Sequence, residues 1–238
     1  MKKLFTLFYF TFVLVITTNA QNNKIYLGIT LYPNYSYRNY FTDISVRFLQ
    51  SAYDTIERPK FSYSAGIFAE KKLNENFRLR VGLNFMNSGF RTKKQELHFA
   101  SPDSSGQYQQ IIFGGYGNVV YNDFYLELPI DVHYFFVKTP VFIDFGISPV
   151  FNLYNSSTEN WEYPDGHTEI RTGENKSATF NKFGLAFQFG IGYEVKIINR
   201  LILEIQPKFQ YFLSTDVISS NKGKDRLYNL GLQLVFKI

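Results

Sequence analysis

The sequence contains no cysteine, so it can build no disulfide framework, no thiolate metal site and no cysteine nucleophile. Charge is also scarce: Asp, Glu, Lys and Arg make up 19% of the 238 residues, against about 25% in an ordinary globular domain. After residue 20 no apolar run approaches the roughly 18 residues of a helical membrane span, which excludes spans of that kind. Histidine is sparse, with His98, His133 and His167 the full set, and Trp161 is the single tryptophan. What the chain has in quantity is rings, 26 Phe and 18 Tyr. Its length suits one all-β domain.

The formal charge of +5 falls to +3 once Lys2 and Lys3 are set aside, too little to point to nucleic acid. Those lysines open what reads as a secretory signal: Lys2-Lys3, an apolar stretch from Leu4 to Ile16, then Thr18-Asn19-Ala20 before Gln21. Cleavage is expected between Ala20 and Gln21, leaving residues 21–238 as the working domain. An uncleaved anchor is the alternative, weakened because no basic stop-transfer flank follows. Without a cysteine at the cleavage point the chain is not a lipoprotein. Any membrane role must come from strands.

The rest of the sequence alternates. In 24–32, Ile25, Leu27, Ile29 and Leu31 share one face while Tyr26, Gly28, Thr30 and Tyr32 share the other. The same parity recurs over 61–71, 77–87, 124–136, 141–153, 182–196, 201–213 and 227–238, predicting eight strands. Connections at 73–76, 137–139 and 197–200 are tight, whereas 33–60, 90–123, 154–181 and 214–226 are long and are expected to be loops. An even strand number with short turns at one end and long loops at the other is the layout of an antiparallel outer-membrane β-barrel, with periplasmic turns and extracellular loops. A lipocalin-like soluble barrel shares the period but needs a charged exterior. Here the polar face holds Gly28, Gly66, Gly82, Gly146, Gly190, Ser62, Ser64, Asn84, Ser148 and Gln188 with few charges, which suits a narrow interior and leaves the bulky face for lipid. Tyr63, Tyr134, Tyr193, Tyr211 and Tyr228 near strand ends fit interfacial belts, with packing in a core as the competing reading. Pro129, Pro149 and Pro207 each remove a ladder donor, and are expected at bulges or close to strand ends.

Tyr125-Leu126-Glu127-Leu128-Pro129-Ile130 resembles the Tyr-Leu-Glu-Ile/Leu-Pro signature of the PorT-like outer-membrane β-barrel family. Val141-Phe142-Ile143-Asp144-Phe145-Gly146 is similar to that family's following strand, and Phe183-Gly184-Leu185 with Phe189-Gly190-Ile191-Gly192-Tyr193 to its Gly-rich sixth strand. The resemblance implies a barrel inserted in the bacterial outer membrane. It also implies service in an envelope or secretion assembly, the association of the family's founding member. Lipid of that membrane, the barrel-assembly machinery and envelope proteins are the expected partners. Such barrels usually finish on an aromatic residue, whereas this chain ends Val235-Phe236-Lys237-Ile238, with Phe236 at the right parity.

By parity the interior collects Arg78, Arg80, Glu127, Asp131, Asp144, Glu194, Glu204 and Lys208, with Lys237 on the last strand. Unpartnered buried charge is costly, so Arg78 and Arg80 are expected to pair with Glu127 or Asp131 across adjacent strands. A structural polar plug and a gated pore or proton path are both compatible with that set, and the size of an eight-strand barrel favours the plug. His98 with Ser101 is the nearest approach to a hydrolase pair, but spacing along the chain says little about geometry. A non-enzymatic protein is therefore expected, a lipid-modifying enzyme being the weaker alternative. His133 falls on the interior face, where hydrogen bonding within the polar network is expected, and His167 falls in a Pro164-Asp165-Gly166-His167 turn. Gly114-Gly115-Tyr116-Gly117 lacks the Lys-Ser/Thr ending of a phosphate loop. No metal-ligand spacing is visible, and no cofactor is expected. Tyr35, Tyr37, Tyr40 and Trp161 are candidate loop contacts for adhesion or ligand binding, although interfacial or self-packed rings would read the same.

Overall fold

A computed structural model describes residues 25–41, 47–102, 108–174, 180–198, 201–214 and 224–238. The leader, with Ala20 and Gln21, lies outside them, as do the side chains of Tyr40 and Ser101. The elements are β1 (Ile25–Phe41), α1 (Arg47–Ile56), β2 (Glu57–Arg58), β3 (Lys60–Lys72), β4 (Phe77–Thr92), β5 (Gln95–Pro102) and β6 (Tyr108–Glu127). They continue with β7 (Ile130–Phe135), β8 (Val141–Glu162), β9 (Thr168–Glu174), β10 (Phe183–Ile198), β11 (Leu201–Phe212) and β12 (Lys224–Lys237). No described helix is long and apolar enough to cross a membrane.

All pairings are antiparallel, and they close. β1 pairs with β3, β3 with β4, β4 with β6 and β7, both of these with β8, then β8 with β10, β10 with β11, β11 with β12 and β12 with β1. Counting β6 and β7 as one stave gives the eight-strand antiparallel ring that the alternation predicts. Closure matters because an unpaired backbone group in hydrocarbon costs several kcal/mol.

The proline bulges do not form. Val81 faces Ile130 and Asn84 faces Glu127, while Ile147 faces Ile130 and Val150 faces Glu127. Register therefore runs unbroken through Leu128-Pro129. Proline loses its donor but keeps its acceptor: the Pro129 carbonyl accepts from Gly82 N–H at 3.0 Å and that of Pro149 from Leu128 N–H at 2.9 Å. Pro207 stays in register with Leu232. Register shifts fall instead at Phe124/Tyr125 and Lys196/Ile198.

Side-chain parity sorts as a membrane barrel requires. Along β11, Glu204, Gln206, Lys208 and Gln210 are buried while Ile205 and Phe209 are exposed, the inverse of a soluble protein. From Phe77 at a short turn to Asn87 beside Tyr63, ten residues at about 3.3 Å and a tilt of about 40° span about 25 Å, the height of an outer-membrane apolar band. Tyr134 and Tyr193 lie at the short-turn end, and Tyr63, Tyr211 and Tyr228 at the other.

The long connections are mostly strand rather than loop. β1 continues to Phe41, β5 forms a hairpin with β6, and β9 forms one with β8. A membrane strand needs about 9–11 residues, whereas β6 has 20 and β8 has 22. Their excess, paired as β5-β6-β8-β9, stands beyond the band as a four-stranded sheet over one side of the ring.

Candidate functional site

The interior is layered by the register of the staves. Nearest the short turns, Glu70 on β3 sits directly opposite Arg80 on β4. Arg80 donates through Nε to Glu70 at 3.0 Å, and its terminal nitrogen engages both Glu70 and Glu204. Arg78 donates to Glu194 at 2.6 Å and lies 3.3 Å from Glu70. Lys237 Nζ reaches Glu70 at 2.8 Å and Glu194 at 3.0 Å and also pairs with Glu204. Arg80, Glu70, Glu204 and Lys237 are fully buried, and the arginines lie over rings, Arg80 4.5 Å from the Phe68 centroid and Arg78 3.9 Å from that of Phe135.

The expected pairing with Glu127 or Asp131 is thus corrected. Asp131 does face Arg80 in register, but β3 offers Glu70 on the other side and the narrow lumen brings Glu204 across from β11. Glu70 was missed, although its parity with Ser62, Ser64 and Gly66 could have found it.

One layer further in, Asp131 accepts from Gln188 Nε2, and Asp144 accepts from Gln206 Nε2. His133 lies between carboxylates, its Nδ1 3.4 Å from Glu70 and its Nε2 3.3 Å from Asp144, with neither nitrogen in a hydrogen bond. Its ring stacks on Phe142 at 5.0 Å. Gly192 makes room for that phenyl, since a Cβ there would lie 2.1 Å from its Cζ.

Glu127 anchors the next layer, accepting from Asn84 at 3.1 Å and from Gln210. Lys208 faces Gly190, which in turn faces Asp144, and its Nζ lies 5.9 Å from the Tyr32 ring centroid. Above this level Met86, Tyr125, Val150, Ala186, Phe212 and Leu227 form a buried apolar layer. Tyr125 of the Tyr-Leu-Glu-Leu-Pro stretch therefore packs inward, whereas Leu126 and Leu128 alternate to the wall's other face and Pro129 holds the break between β6 and β7. Lys60 then donates at 2.8 Å to Asn87, Ser88 and Asn122. At the mouth Arg38 engages Glu57 and lies 3.6 Å from Asp225, with its guanidinium 4.0 Å from the Phe90 centroid. Every one of the eight predicted interior charges lies inside the ring, but they separate into layers instead of one network.

The predicted contact residues separate as well. Tyr35 and Tyr37 stand on the wall of β1, Tyr35 edge-on to Phe61 at 6.0 Å and Tyr37 edge-on to Tyr228 at 5.5 Å. They belong to the barrel wall rather than to a loop. Trp161 sits in the projecting sheet, facing Gly117 and Glu169 in register, with its Nε1 donating to Glu159 at 3.3 Å. Lys94, Tyr116, Asn118, Trp161, Glu162 and Ile170 line a groove there, and Lys94 pairs with Glu162 while lying 5.0 Å from the Tyr116 centroid. His98 is on β5, 3.4 Å from Glu96 and edge-on to Phe113. His167 is in the β8–β9 turn, stacked on Tyr163. Gly115, at φ +113°, lies beside the register shift at Leu97/His98.

The family described as outer membrane protein beta-barrel domain matches residues 17–212. No curated protein matches the chain. Among solved structures, Neisserial surface protein A is 12% identical, with 92% of this chain and 100% of that one covered at a TM-score of 0.40. Ail, the attachment invasion locus protein of Yersinia pestis, is 9% identical, with 90% and 98% covered at 0.34. The outer membrane protease OmpT from Escherichia coli is 10% identical, with 92% and 97% covered at 0.39.

Proposed function

Because the chain belongs to the outer membrane protein β-barrel domain family and is a protein of the bacterial outer membrane, we propose that it is a non-enzymatic, PorT-like component of an envelope assembly. Its barrel is a filled anchor, and its projecting sheet is the surface that meets an envelope partner. One observation carries this reading: β6 and β8 run about ten residues past the membrane band to build a four-stranded sheet, and among the described residues the outer strands of that sheet, β5 and β9, each pair on one side. An unpaired strand edge is a ready template for a further strand. Beside it, Phe113, Tyr116 and Ile170 are exposed around the Trp161 groove, ring chemistry of the kind enriched at protein contacts.

Adhesion or ligand binding at the surface is the second reading, favoured by Arg58, Arg91, Lys93 and Lys94, which line one open groove at the rim. The two separate on purification from the native outer membrane in mild detergent, followed by mass spectrometry of what stays bound. The assembly reading expects a stoichiometric envelope protein that is lost when residues 95–117 are replaced by a short turn. A barrel that comes out alone in both forms contradicts it.

A further inference from the structure

We propose that the lumen holds a divalent transition-metal ion between Asp131, His133 and Asp144, whose carboxylates are steadied by the side-chain amides of Gln188 and Gln206. Candidate ligand atoms of the first three lie within 4.8 Å of one another, and all three residues are buried. A cluster of this kind is not by itself a site, but three further observations converge on it.

The first is unmet bonding. Both nitrogens of His133, Oδ1 of Asp144, and Oε1 of Gln188 and of Gln206 are buried without a hydrogen-bond partner. Most buried polar atoms in proteins are hydrogen-bonded, and here five without a hydrogen bond gather, His133 Nε2 and Asp144 Oδ1 facing each other at 3.3 Å. None of them is a donor-only group: the three oxygens present lone pairs, and the histidine presents one through whichever nitrogen is unprotonated. A cation serves such lone pairs together.

The second is charge. Among the described residues the lower interior holds four cations, Arg78, Arg80, Lys208 and Lys237, against six carboxylates, Glu70, Glu127, Asp131, Asp144, Glu194 and Glu204. The carboxylates thus outnumber the lysine and arginine cations by two in a space closed off by the wall, with His133 set between Glu70 and Asp144. Arg80 and Lys237 are already committed to Glu70 and Glu204. One dication restores neutrality, and buried charge is otherwise costly.

The third is space. A Cβ on Gly146 would lie 1.9 Å from Asp131 Oδ1 and 2.9 Å from Gln188 Nε2, and one on Gly190 would lie 2.3 Å from Gln206 Nε2. Two glycines on β8 and β10 thus clear the ground on which these side chains meet. Imidazole with carboxylate oxygens suits manganese, iron, cobalt, nickel or zinc, and an imidazole ligand argues against calcium or magnesium.

The test uses the full chain purified from outer membrane, unfolded with chelator and refolded into detergent micelles with Co²⁺ or Zn²⁺, then washed and measured for bound metal. The expected result is about one ion per chain, a visible Co²⁺ absorption band from nitrogen and oxygen ligands, and a thermal midpoint above that of the metal-free barrel. Asp131→Asn and His133→Gln should each weaken binding on the order of tenfold or more, with the folded barrel's altered gel mobility retained. If a variant fails to refold, the Co²⁺ spectrum of the unaltered chain still decides. No bound ion, an ion lacking that band, or equal loading of the Asp131→Asn/His133→Gln double variant would overturn the site, and protons or water would then balance the layer.

Discussion

Glu70 has three cationic partners, Arg78, Arg80 and Lys237, and full burial, so it is where a single atom exchange should hurt most. Glu70→Gln keeps the shape and removes the charge, leaving Arg80 and Lys237 to share Glu204 and Glu194. Removing one partner of a buried ion pair costs about 3–5 kcal/mol, and a loss of that size is expected in urea unfolding from micelles. Lys72→Ala, which breaks an exposed pair with Glu75, should change stability by less than about 1 kcal/mol. Equal effects would mean that the layer does not stabilise the barrel. The eight charges the sequence put on the interior face do lie inside the ring, because parity alone decides which face a strand residue takes, but Glu70 and Lys60 belong there too and were not read. Parity could not give the pairings. Asp131 and Glu70 flank Arg80 equally in register, and the choice depends on Glu204 arriving across the lumen, which follows from barrel closure and not from any neighbour in the chain.

At the scale of elements, the eight staves and the three tight connections were legible from alternation and turn length. The projecting sheet was not: 90–123 and 154–181 read as loops, because a strand with water on both faces has no reason to alternate apolar with polar residues. Gly117 facing Trp161 and Gly173 facing Ser157 are pairs that backbone bonds hold without a buried face. The prolines misled for a different reason. The missing donor predicts a bulge or a strand end; Pro129 does lie between the ends of β6 and β7, yet Pro129 and Pro149 keep the register through their carbonyls. The layout makes a topology prediction that the absence of native cysteine makes clean. In intact cells a membrane-impermeant maleimide should label Lys94→Cys on the projecting side, and Glu75→Cys in the β3–β4 turn only after the outer membrane is opened. The reverse pattern would invert the barrel.

For the whole molecule, a ring that presents Ile25, Leu27, Ile67, Phe145, Ile191 and Leu230 outward while burying charge makes sense only in lipid, as the family match independently places it. Layers of ion pairs, amides and apolar side chains fill the ring from end to end, so the part left to meet the surroundings is the sheet beyond the membrane. Its role as the partner surface is the central claim, and photo-crosslinking in living cells tests it most directly. A photoreactive residue placed at Tyr116 or Ile170 should give one discrete protein adduct, absent when the same residue replaces Ile67 or Ile191 on the lipid-facing wall. Adducts from the wall and none from the sheet would contradict the account.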